Sequence, residues 1–131
     1  MFERKIDSLC RAMAEHEGWF APGENGHNLG SRSYRNHNPG NLRSSPFARK
    51  IDGNFAVFTN DMIGWNAMQW DIIQKARGNT VTALDGKSTL AELIEVWAPR
   101  DDNNNPISYL LDVVARTGFK PTMKLAELLE M

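Results

Sequence analysis

Apolar side chains return at helical spacing from the very start of the chain. At about 100° per residue, Phe2, Ile6, Leu9, Cys10 and Met13 fall on one narrow stripe, with Arg4, Ser8, Arg11 and Glu15 opposite. The pattern predicts an amphipathic first helix ending near Glu17, because Gly18 can take the left-handed conformation of a helix stop and Pro22-Gly23 opens a loop. From Pro22 to Gly53 no helical period survives. Gly, Asn, Ser and Arg dominate there, so loops with a short strand or two are expected, including a hairpin around Asp52-Gly53-Asn54 that leads into Phe55-Ala56-Val57-Phe58. Irregular stretches of this length are uncommon inside compact domains and are often functional, which makes this segment the expected binding surface.

Helical periodicity resumes after Thr59-Asn60, either of which can cap a second long helix. Its shared face is Trp65, Met68, Gln69, Ile72, Ile73 and Ala76, and Gly78 stops it. Thr89 and Glu92 form the capping box of a third helix, which buries Leu90, Leu93, Ile94 and Trp97 and ends before Pro99. Asn105 caps a fourth, with Pro106 at its first position and Leu110, Val113, Val114 and Thr117 on one face before Gly118. A short last helix is expected from Thr122 onward. Residues 1–131 therefore predict one mainly helical domain with a small β-hairpin element after the first helix.

Composition changes this picture little. The 131 residues are 41% hydrophobic and 24% charged, as in ordinary globular chains. A net charge of -1 leaves no basic excess of the kind that drives binding to nucleic acid, and the arginines are scattered along the sequence, so no nucleic-acid partner is expected. Lone Cys10 offers no internal disulfide, and no Cys/His set has zinc-ligand spacing, so no metal and no cofactor is expected. The charged N-terminal segment has neither the apolar run of a signal peptide nor that of a membrane span. Cytosolic synthesis without membrane insertion is expected, with another component delivering the protein if its target lies outside.

One carboxylate stands out. Glu17 lies on the same side of the first helix as Ile6, Cys10 and Met13, whereas Glu15 projects away. A carboxylate on a buried stripe loses hydration, and at a helix C-terminus it faces the negative end of the macrodipole; both effects favour the protonated form that a general acid needs. The plain alternative is a solvated Glu at a frayed helix end, the commoner fate of such a residue.

Two segments, Glu-His-Glu-Gly-Trp at 15–19 and Ser-Tyr-Arg-Asn-His-Asn-Pro-Gly-Asn-Leu-Arg at 33–43, separate these alternatives. Together they resemble a phage-associated branch of the lysozyme-like superfamily, described as lytic transglycosylase or muramidase domains and sometimes carried in virions. The family's Glu-Gly-aromatic step is matched by Glu17-Gly18-Trp19, and its R-N-x-N-P-G-N-L motif by Arg35 to Leu42. Weaker matches follow in Gly53-Asn54-Phe55-Ala56-Val57-Phe58, Gly64-Trp65, Trp97-Ala98-Pro99 and the Asn-rich loop before Tyr109. His37 stands where many relatives have Asn. The resemblance implies an α+β lysozyme-like fold, a peptidoglycan glycan strand as partner, and Glu17 as the acid that protonates the glycosidic oxygen. It further implies a monomer, made in the host cytoplasm, that reaches the cell wall by holin release or inside a virion.

Cleaving the bond between N-acetylmuramic acid and N-acetylglucosamine needs a proton for the leaving oxygen and a nucleophile for an oxocarbenium-like centre. A hydrolase normally supplies a second carboxylate; Glu24 and Asp52 are candidates, with Asp61 also near in sequence. A lytic transglycosylase uses the sugar's own 6-hydroxyl and one carboxylate acting as acid and then base, and this route is slightly favoured. Asn36, Asn38 and Asn41 offer amides suited to acetamido and hydroxyl groups, although Asn beside Pro-Gly equally organises its own turn. Arg35 and Arg43 can meet acids, a peptide-stem carboxylate among them. Trp19, Tyr34 and Tyr109, with Phe20, are candidates to line a sugar groove, whereas Trp65, Trp70 and Trp97 are assigned to the core. His37 is the histidine expected near substrate, with His16 and His27 exposed. The competing expectation is a non-catalytic peptidoglycan-binding or virion structural module on the same fold.

Overall fold

A computed structural model of the chain describes residues 4–20, 30–100 and 104–130. Among these, the order of elements is α1 (Lys5–His16), α2 (Arg32–Arg35), β1 (Lys50–Asp52), β2 (Phe55–Val57), α3 (Asp61–Ala76), α4 (Leu90–Trp97) and α5 (Pro106–Thr117), followed by a 3₁₀ segment at Leu125–Leu129. The chain is mainly helical, with a small antiparallel hairpin after the first helix, as the periodicity predicts. Among the described residues no helix is long and apolar enough to cross a membrane.

Local chemistry explains where the helices stop. Past the end of α1, the Trp19 N–H donates to the Ala14 carbonyl at 3.0 Å and the Gly18 N–H to the Glu15 carbonyl at 3.2 Å, with Gly18 at φ 85°. This paired closure is the Schellman motif, which needs a residue tolerant of positive φ and commonly buries an apolar residue immediately after it. Trp19 is that residue, at 1% exposure. At the other ends, Asn60 accepts the Ile63 N–H at 2.9 Å, Thr89 and Glu92 form both halves of the expected capping box, and Asn105 accepts from Ser108.

The residues group into two compact units. One comprises Met1–Ala12 and Ile72–Met131. Its core includes Ile6, Leu9, Cys10, Ile72, Leu90, Leu93, Ile94, Val113 and Leu125, all nearly inaccessible to solvent, and α4 packs against α5. The final segment is stitched on by Leu90 N–H to the Met123 carbonyl and Leu125 N–H to the Ser88 carbonyl. Helix α5 buries Pro106, Tyr109 and Val113; of the expected face, Val113 is buried while Leu110, Val114 and Thr117 are partly covered, so the inward face is shifted toward Tyr109. Tyr109 is consequently a core residue at 3% exposure, and its expected place in a sugar groove does not hold. Trp97 is only partly buried, with the Lys75 ammonium 5.5 Å from its ring centroid.

The other unit is Met13–Asp71. Its buried side chains include Met13, Trp19, Leu42, Ala56, Phe58 and Met68. In the hairpin, Asp52 pairs with Phe55, leaving Gly53 and Asn54 as a two-residue turn with Gly53 at φ 62°. Positive φ at the first central position is the demand of a type II′ turn. Trp70 was expected in the core but is 41% exposed, its ring edge-on to Phe47 at 5.2 Å. It sits two residues from both Met68 and Ile72, about 200° around the helix from each, and so faces away from the buried stripe.

Cys10 is 1% exposed, and burial pushes its thiol well above the ordinary range, with the nearby Asp7 carboxylate adding to the effect. The thiolate is the reactive form, so the native protein should resist iodoacetamide at pH 8 and become alkylated only in denaturant. Alkylation at the same rate in both conditions would contradict the placement.

Candidate functional site

The unit Met13–Asp71 carries most of the residues that the sequence singles out, on a loop that is more ordered than expected. Ser31 caps α2 by accepting the Tyr34 N–H at 3.2 Å. Four residues later the helix is closed by a second Schellman pair, Asn38 N–H to the Ser33 carbonyl at 2.8 Å and His37 N–H to the Tyr34 carbonyl at 3.0 Å. His37 therefore stands in the left-handed position at φ 51°, where Asn, Asp and His are the side-chain-bearing residues most often found. The His37 ring is held by Asp61 in the first turn of α3, Nδ1 to Oδ1 at 2.6 Å.

A turn follows over Asn38-Pro39-Gly40-Asn41, closed by the Asn41 N–H on the Asn38 carbonyl at 2.9 Å. Within it Asn38 has no exposure at all. Its amide nitrogen donates to the carbonyls of Leu42 at 2.8 Å and Ala56 at 2.9 Å, and its amide oxygen accepts the Leu42 N–H at 2.8 Å. The Leu42 carbonyl also takes the Ala56 N–H, and the Asn36 carbonyl takes that of Phe58. Strand β2 is thus bonded to the loop as well as to β1. Asn38 is a buried organiser of backbone, and the sugar-contacting alternative for it falls, because it is fully enclosed and both amide hydrogens are committed.

Gly64 explains how α3 lies against this loop. A Cβ at position 64 would sit 1.9 Å from the His37 carbonyl oxygen and 3.0 Å from Pro39 Cδ, so only glycine permits the approach.

The loop delivers Asn41 to Glu17. Asn41, at φ 53°, donates from Nδ2 to Glu17 Oε1 at 3.3 Å across 24 residues of sequence. Glu17 is half-buried at the last position before the Gly18 reversal. The Asn41 Oδ1 is buried with no hydrogen-bond partner, and a buried acceptor left in that state costs about 1–3 kcal/mol. Trp19 packs edge-on against Tyr34 at 5.0 Å and Trp65 at 5.6 Å. At 1% exposure Trp19 is core beneath the carboxylate, so the groove-lining role expected for it does not hold; Tyr34 and Trp65 are partly exposed.

Asp52 is exposed at the end of β1. It lines an open depression of about 610 Å³ together with Arg32, Arg35, Arg49 and Lys50, and Asn36 lies at the same depression. Glu17 is not among its lining residues. Arg32, Arg49 and Lys50 escaped the sequence reading, although one signal was available: between Ser31 and Asn60 there are five cations and one acid. Glu24 and His27 lie outside the described residues. Among the described residues no cluster of three or more His, Cys, Asp or Glu side chains could hold a metal ion. Comparison with protein-family models, curated proteins and solved structures finds no match to the chain.

Two substitutions test the geometry of the loop. Gly64→Ala should cost about 3 kcal/mol by forcing α3 off the His37 carbonyl, and Asn38→Ala should cost at least as much, with about 1 kcal/mol for each lost bond and more for the stranded carbonyls. Urea unfolding measures both; a loss under about 1 kcal/mol in either variant would contradict the packing described.

Proposed function

We propose that the protein cleaves the β-1,4 bond between N-acetylmuramic acid and N-acetylglucosamine in peptidoglycan, with Glu17 as general acid and then base. The observation that carries this reading is the Glu17–Asn41 contact at 3.3 Å, which joins the two motifs on which the family resemblance rests. Those motifs were matched separately in sequence, and a solvated Glu at a frayed helix end would have no such partner.

Protonated Glu17 gives its proton to the glycosidic oxygen as the bond breaks, leaving an oxocarbenium-like centre. The 6-hydroxyl of the muramic acid attacks that centre, its proton passes to the Glu17 carboxylate, and a 1,6-anhydro ring closes while the acid is regenerated. A single carboxylate must then be comfortable in both protonation states. Asn41 suits this: its N–H donates to the carboxylate, and after rotation of the amide its oxygen accepts from the protonated acid.

Asp52 fits a second catalytic carboxylate poorly, being exposed beside the hairpin turn, and Asp61 is bound to His37. This favours the transglycosylase over the hydrolytic muramidase, for which Glu24 remains the candidate. The protein acts as a phage lysin or as a lytic part of a virion, reaching the wall by holin release or virion delivery. The competing non-catalytic module would sediment with peptidoglycan and release nothing.

Glu17→Gln should lower lysis of purified peptidoglycan by at least about 100-fold, the usual scale of a lost general acid, with an unchanged circular-dichroism spectrum. Asn41→Ala should lower kcat about 10- to 100-fold while KM moves little, because the amide acts on the acid rather than holding the glycan chain. Full lysis by the Glu17 variant would overturn the catalytic assignment.

A further inference from the structure

The net charge of -1 conceals a segregation of charge that the fold makes local. Arg32, Arg35, Arg49 and Lys50 come from α2, the strand β1 and the residue before it, yet they surround one depression of about 610 Å³. Arg32 is not a freely waving side chain: its guanidinium carbon lies 3.8 Å from the centroid of the Phe55 ring, which fixes the cation on an aromatic plane. Arg35 is tethered by its Nε to the Ser31 carbonyl at 3.2 Å, leaving the rest of the guanidinium available. Among the described residues neither Arg49 nor Lys50 makes an ion pair. The same wall carries one carboxylate, Asp52, and the amides of Asn36 and Asn54.

Gathering like charges is unfavourable unless an opposite charge visits, and guanidinium groups favour carboxylate or phosphate oxygens through paired N–H donors. Asp52 decides between them. A polyphosphate would leave that carboxylate without a partner, whereas a ligand with several carboxylates and one ammonium would use every group present. The side-chain amides match the N–H and C=O groups of a peptide backbone.

We propose that this depression binds a short acidic peptide carrying one free amine, the chemistry of a cell-wall stem peptide with a diamino acid. The choice of stem peptide rests on the glycan-cleaving function proposed above; the carboxylate-and-amine selectivity rests on the depression itself. The cations take the carboxylates and Asp52 takes the ammonium. The site then reads the peptide branch of the wall polymer separately from the glycan bond that Glu17 cleaves.

The test is calorimetric binding of N-acetyl-L-alanyl-γ-D-glutamyl-meso-diaminopimelate to the full chain carrying Glu17→Gln, so that cleavage plays no part. Saturable binding is expected, weakening as salt rises. Amidating the peptide carboxylates, or introducing the exposed double change Arg49→Glu with Lys50→Glu, should each weaken it at least about tenfold. Asp52→Asn should weaken binding of this peptide but not of the form acetylated also on the diaminopimelate amine. Absence of saturable binding, indifference to the double charge reversal in a folded variant, or tighter binding of inorganic pyrophosphate than of the peptide would each overturn the proposal. Peptide binding with full lysis by Glu17→Gln would sink only the catalytic assignment; Glu17-dependent lysis without peptide binding would sink only this one.

Discussion

The candidate site depends on one enclosed amide. Asn38 bonds the backbone at Leu42 and Ala56 at once, and in doing so fixes the loop before it, the turn that contains it and the strand beside it. A buried polar group is stabilising only when its hydrogen-bonding capacity is met, and here both amide hydrogens and the oxygen are engaged. With Asn38 in place, the Pro39-Gly40 turn has one course, Asn41 emerges in a left-handed conformation, and its amide reaches Glu17. The approach of α3 at Gly64 closes the loop from another direction. The Glu17–Asn41 contact is thus a consequence of backbone organisation elsewhere.

The same residues serve structure and proposed chemistry in layers. Gly18 permits the reversal after α1, Trp19 buries itself as the apolar residue that follows such a reversal, and Glu17 is left at the helix end half out of solvent. The Glu-Gly-aromatic step is therefore explained by helix termination before any catalytic role is invoked. What termination does not explain is Asn41, whose oxygen is buried without a partner.

Much of the fold was legible in the sequence because it is locally encoded. Caps at Asn60, Thr89 and Asn105 and stops at Gly18, Gly78 and Gly118 each act within one turn of helix, and so could be read from short windows. Helix α2 could not, since four residues display no period. Trp70, Tyr109 and Trp19 were misplaced for a related reason: spacing identifies a face, but which side chains on its border are covered depends on partners distant in sequence. In the site, Pro-Gly flagged the turn, whereas the helical wheel set Glu17 apart from Glu15 although both are half-buried. The division of labour between Asn38, wholly structural, and Asn41, facing the acid, required the fold. So did the convergence of Arg32, Arg35, Arg49 and Lys50, which along the sequence are scattered among neutral residues.

The single-carboxylate mechanism is tested most directly by mass spectrometry of the muropeptides that the wild-type protein releases from purified peptidoglycan. Attack by the sugar's own hydroxyl predicts products ending in 1,6-anhydro-N-acetylmuramic acid. Products with reducing ends would contradict that mechanism in favour of hydrolysis with a second carboxylate, and no released products at all would contradict glycan cleavage itself.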